Sequence, residues 1–252
     1  MIACLLCLQS GCVATKYKLA KKNTPPAQLV DIAFLPSPPL QVTLISLISY
    51  GGAGSWKREA LWDEYVVTLQ NHGERPLTID AAALGDSAGT LYAAGSDPWS
   101  LEKQSKKLEK QYQDHGEAFI RAAGPGVLIV GVGAATVTAA AGGGAVMIAP
   151  AVAGAALVTI VVLPVYYVAV LTINHYNRKA VMSEFMRRQL HLPVTLAPGE
   201  NLTASLFFPM VRSPGSLSVH WSNESGAATA MLPLEFLHAP HVPVAPTVRT
   251  SR

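Results

Sequence analysis

Between Arg121 and Arg178 the chain carries no Asp, Glu, Lys or Arg. No other feature narrows the folding options as much. Charge is costly away from water, so a long charge-free run points to burial in a core or in lipid. One helical span of a bilayer takes about 20 apolar residues, and residues 122–177 have room for two. Ala149-Pro150 divides the run most evenly, with Gly142-Gly143-Gly144 as the competing turn. The pattern predicts spans over about residues 124–148 and 151–173, each roughly 35 Å long at about 1.5 Å per residue.

Small residues recur every fourth position in the first half, at Gly131, Ala135, Ala139 and Gly143. The second half offers Ala151 and Ala155. Such faces let helix backbones approach closely in lipid, so the two halves are expected to pack on each other, or less readily on a second chain. Tyr166, Tyr167, Tyr176, Arg178 and Lys179 at one end, and Arg121 at the other, read as interfacial anchors. The pairing resembles glycine-zipper membrane hairpins. Only 14% of the chain is charged, against about 25% in ordinary soluble domains. That balance excludes a disordered chain and a strongly basic nucleic-acid binder.

All three cysteines, Cys4, Cys7 and Cys12, fall in the first twelve residues. Nothing later can form a disulfide or act as a thiol. The apolar run Met1–Leu8 followed by Gln9-Ser10-Gly11-Cys12 resembles the lipobox of bacterial lipoproteins. The resemblance implies a signal peptide over residues 1–11, a diacylglycerol-modified Cys12 and a body facing away from the cytoplasm. Residues 12–40, with prolines from Pro25 to Pro39, read as an extended tether. Val13 leans toward the outer membrane and the apolar second span toward the inner one; both stay open.

Elsewhere the chain reads as β. Runs at Gln41–Tyr50, Tyr65–Gln70, Leu77–Asp80, Thr90–Tyr92, Pro193–Leu196, Asn201–Phe208, Leu217–Ser222 and Thr229–Phe236 are separated by turn signals. Asp97-Pro98 opens a helix as N-cap and first residue. Its stripe of Leu101, Leu108, Tyr112, His115 and Phe119 is expected to meet Met182, Phe185, Met186 and Leu190 in an antiparallel stem. The segment Val66–Ile79, with Asn71-His-Gly in its turn, and Leu206-Phe-Phe-Pro209 after Pro198-Gly-Glu200 resemble Ig-like accessory domains of bacterial envelope proteins. The expected fold class is therefore α+β. It is an Ig-like antiparallel β-sandwich, residues 41–96 and 193–237, with an inserted long α-helical hairpin over 97–192 that includes two transmembrane spans. A mobile tail covers 238–252.

No nucleophile elbow or phosphate loop is present. Asp63-Glu64 and the pair His238 and His241 read as solvated surface, and Trp62, Trp99 and Trp221 as core or its junction with the stem. No catalytic residue, metal site, cofactor, nucleic acid or small-molecule substrate is expected. The expected function is a non-enzymatic cell-envelope lipoprotein, a scaffold or interaction module partnered by the bilayer and by an envelope protein or a second copy. The alternatives are a pore-forming hairpin protein and, further behind, an envelope enzyme.

Overall fold

The computed structural model describes residues 19, 34–37, 39–49, 55–57, 59–121, 175–234, 237 and 240–242. They form two antiparallel sheets. Sheet A has the order β1 (Phe34–Ser37), β2 (Leu40–Ile48), β3 (Asp63–Asn71) and β7 (Asn201–Phe208). Sheet B has the order β5 (Leu91–Ala93), β4 (Leu77–Asp86), β8 (Pro214–Asn223) and β9 (Gly226–Pro233). In it β6 (Val194–Leu196) also pairs with β4. The Asn201–Phe208 strand has the expected bounds; β1 falls within the stretch read as tether.

Side chains alternate across a strand, and β3 follows this closely. Tyr65, Val67, Leu69 and Asn71 are buried, while Val66, Thr68 and Gln70 are not. In β2 the buried parity switches, from Leu40, Val42 and Leu44 to Leu47. A bulge between Leu44 and Ser46 absorbs the extra residue and leaves Leu47 opposite Tyr65. In β4 a second bulge between Ile79 and Ala81 moves the core face from Leu77 and Ile79 to Ala82 and Leu84. The inward sets of both sheets join in one core with Leu206, Phe208, Leu217, Val219 and Trp221.

Two turns at one end are tied together by Asn71, which is fully buried. Its amide donates to Arg75 O (2.8 Å) and Leu196 O (3.1 Å), and its Oδ1 accepts from Gly73 N (2.8 Å). The facing turn, Ala197-Pro198-Gly199-Glu200, closes through Glu200 N to Ala197 O (3.0 Å), with Gly199 at φ +75°. That is the type II geometry that Pro followed by Gly favours. Asn71→Ala strands the buried Leu196 carbonyl and is expected to cost about 1–3 kcal/mol, measurable as a shift in the urea midpoint.

α1 (Pro98–Asp114) starts as expected: Asp97 Oδ2 accepts from Ser100 N at 2.7 Å. It also stops firmly. Gly116 takes φ +71°, Glu117 N donates to Tyr112 O (2.8 Å) and Gly116 N to Gln113 O (3.0 Å). This is a Schellman C-cap. The chain turns back, so that Phe119 stacks on Tyr112 (5.6 Å) and Arg121 reaches Glu109 (2.9 Å). The second helix, α2, covers residues 175–188 among those described.

The expected long helical hairpin with two spans is therefore corrected. The described chain is mostly antiparallel sheet with two short helices. Among the described residues no helix is long and apolar enough to cross a membrane. α1 ends in a cap instead of extending toward the charge-free run. The positions read as spans, 124–148 and 151–173, lie outside the described residues. Absence of charge argues for burial but carries no period, so it does not by itself specify a helix.

Candidate functional site

β3 opens with two acidic residues, and the strand's alternation sends them to opposite faces. Asp63 joins the inward parity of Tyr65 and Val67. Glu64 faces outward, toward the helices. Both are buried, at 0% and 2% exposure, and buried charge needs partners.

Asp63 meets the chain's far end. His241 Nε2 lies 2.8 Å from Asp63 Oδ2, and His241 Nδ1 lies 2.9 Å from Ile120 O. Both facing groups are acceptors, whereas a neutral imidazole has one N–H. The seat therefore favours the imidazolium, which donates at both nitrogens. Burial draws the His241 pKa down, but the charge and hydrogen bond of Asp63, with the Ile120 carbonyl, carry it above 6.5. Phe119 stacks on the His241 ring at 5.3 Å. Arg212 pairs with Glu117 and lies 5.9 Å from the Tyr112 ring. The residues just before the charge-free run are thus fastened to α1, to the sandwich and to residues 240–242. Next to the pair, Tyr65 is fully buried; burial and then the Asp63 charge push its hydroxyl pKa well above 10.

Glu64 sits in a second cluster on the outer face of sheet A. Trp56 Nε1 and Ser205 Oγ each donate to it at 2.7 Å, and Arg188 lies 3.4 Å away. Arg188 and Arg187 both hold Glu184, at 2.7 and 2.6 Å. Hydrogen bonds from Arg187, then Arg188, bring Glu184 down to about 2 against its partial burial. Lys57 is 1% exposed, 3.7 Å from Glu102 and 4.1 Å from the Trp62 ring centre. Burial draws its pKa to about 8, against the pull of Glu102. Trp56, Trp62, Leu101, Val181, Phe185 and Phe207 pack around these charges, and Leu19 and Trp99 pack against the group. Gly95 N donates to Phe207 O, and Leu190 N donates to Ser205 O, so the free edge of β7 is paired.

Lys57 has a folded pKa below its unfolded value. Its neutral form is the one the fold prefers, so stability should rise as the pH climbs from about 8 toward 10.5. Lys57→Met is expected to remove that rise, read from urea unfolding at several pH values.

Of the residues expected at a membrane site, Arg121 is paired with Glu109 and Arg178 lies 4.2 Å from the Trp99 ring. Tyr176 is 68% exposed, and Lys179 is exposed. Cys12, Gly131, Ala135, Ala139, Gly143, Ala151, Ala155, Tyr166 and Tyr167 lie outside the described residues. The stem stripes are only partly used. Leu101 and Phe185 are buried, Leu108 and Tyr112 half-buried, and Met186 exposed. Trp62 and Trp99 do sit at the junction with the helices, and Trp221 in the sandwich core.

Two readings of polar residues are overturned. Asp63 and Glu64 are not solvated surface, and His241 is not on a solvated tail: it is fully buried. The period-2 pattern from Asp63 through Leu69 carried a signal for Asp63. The pairing with His241 spans 178 positions and has no local trace. Among the described residues no group of His, Cys, Asp or Glu is arranged to hold a metal. A shallow cavity of about 220 Å³ lies among Pro39, Gly73, Glu74, Arg75, Leu77 and Asn223, at the opposite end of β3 from the buried charges. Comparison with family models, with curated proteins and with solved structures gives no match.

Proposed function

We propose that this chain is a non-enzymatic lipoprotein of the bacterial cell envelope, an Ig-like interaction module held at a membrane through Cys12. The observation that carries the reading is Leu19. It bridges to Lys57 and packs on the cluster beneath the helices. Seven residues after the lipobox-like Cys12, the chain is already joined to the body. The chain from Cys12 to Leu19 spans at most about 25 Å, so a lipid on Cys12 would hold the body close to a membrane.

Strand order supports the Ig-like part. Leaving out β1 and β6, the first, second and fifth strands form one sheet. The fourth, third, sixth and seventh form the other; six of the seven sit as in an immunoglobulin-type sandwich, and the fourth lies beside the third instead of the fifth. Contact rather than catalysis fits the charges, since the buried acids and bases are matched to one another, away from the cavity. The strand β9 lies at the edge of sheet B and has no charged side chain, and its Met231 is 59% exposed. Edges of that kind accept another strand readily.

Metabolic labelling with palmitate in a bacterial host tests the anchor. The full chain should take up label and Cys12→Ser should not. An unlabelled wild-type chain overturns the reading.

A further inference from the structure

We infer that the outer face of the two helices is a cationic docking surface for anionic phospholipid headgroups. The inference rests on the lipoprotein reading for the bilayer it would meet. Its evidence is the placement of charge.

α1 and α2 contain eight of the chain's nineteen Lys and Arg, but only four of its sixteen Asp and Glu. Three of those four acids turn inward. Glu102 and Glu109 have side chains 14% exposed and are held by Lys57, Lys106 and Arg121; Glu184 is 21% exposed and held by Arg187 and Arg188. Lys103, Lys107, Lys110 and Lys179 are exposed. Their charge therefore faces solvent with little of the opposite sign beside it.

The other side of the molecule has the reverse character. No strand of sheet B contains a Lys or Arg, and its charged residues are Asp80 and Asp86. The molecule is thus polarised across its two sheets, and an anionic surface would draw the helix side toward it.

Leu19 places the anchor on that same side. Leu19, seven positions after Cys12, packs against the cluster to which Leu101 of α1 and Val181 and Phe185 of α2 contribute. Basic residues near a membrane surface act within about one Debye length, about 8 Å at physiological salt. With Leu19 packed on the helix side, at most about 25 Å of chain from Cys12, a lipid there would let the helix lysines reach that zone. A lipid chain and a basic patch together hold a protein to a bilayer far better than one chain alone. A soluble acidic partner could use the same charge, but it would gain nothing from an anchor placed beside the patch.

The test uses the full-length Cys12→Ser chain, which needs no lipidation. Its partition is measured onto vesicles of phosphatidylcholine, with or without about 30 mol % phosphatidylglycerol. The anionic lipid should raise partition by about tenfold or more, and about 0.5 M salt should cancel the gain. The variant Lys103→Gln/Lys107→Gln/Lys110→Gln/Lys179→Gln should lose most of the gain while its thermal unfolding is unchanged. Equal partition onto both vesicles overturns the inference. So does a variant that keeps the full salt-sensitive gain. Failure of palmitate labelling would instead strike the Cys12 anchor and leave this binding intact, so the two failures are distinguishable.

Discussion

Asp63→Ala is expected to lower the stability of the fold by about 3–5 kcal/mol, because it leaves the His241 charge buried without its partner. Urea unfolding near pH 6 reads the loss directly. The double substitution Asp63→Leu/His241→Phe removes both charges and should recover most of it, since apolar groups of similar size often replace a buried pair at little cost. A pH series separates the ion pair from simple packing. His241 has a folded pKa above 6.5. Its contribution is complete below that value, where both folded and unfolded chains bind the proton. It is lost as the pH rises from about 6.5 through the higher folded value. Lys57 works in the opposite sense, but only from about pH 8 upward. Between these limits the wild type should lose stability with rising pH and His241→Phe should not. A flat wild-type profile there would falsify the assignment of His241 as the imidazolium.

Trp62→Ala is the second large effect, with an expected cost of about 3–5 kcal/mol for an emptied aromatic site. Trp62 is 1% exposed, packs edge-on against Phe185 at 5.9 Å and lies 6.0 Å from Trp56. It also lies under the Lys57 ammonium, so its removal takes away a cation–π partner from a buried charge. The loss should be uneven. Amide exchange in α1 and α2 should accelerate more than in β4 and β8, whose core residues belong to the other cluster. Equal acceleration everywhere would mean that the two clusters unfold as one unit.

The strands were legible because half-buried antiparallel strands print a period of two. Tyr65, Val67 and Leu69 alternate with Val66, Thr68 and Gln70, and the β3 assignment follows from them alone. The Pro198-Gly199 turn and the Asp97-Pro98 helix start were legible for a similar reason: each is a local backbone requirement met by a specific residue. The bulges in β2 and β4 were not, since either parity of those apolar runs reads as a strand. The end of α1 was open to a reader who weighed Gly116 as a left-handed cap. The stripe continuing through His115 and Phe119 argued instead for a longer helix. The tryptophans were read as core or its junction with the helices, but the charges packed among them, Lys57 and Glu64, were not foreseen.

By itself the sequence determined the antiparallel strands, the turn chemistry and the placement of every cysteine ahead of the body. These are properties of a few neighbouring residues, and backbone sterics decide them. Only the tertiary structure decided that Asp63 meets His241, that Leu19 ties the chain near Cys12 to the helices, and that a cationic side opposes a sheet without basic residues. Those outcomes join positions far apart in sequence. They follow from which buried charge finds which partner once two sheets have closed on a core, and no local pattern records that choice.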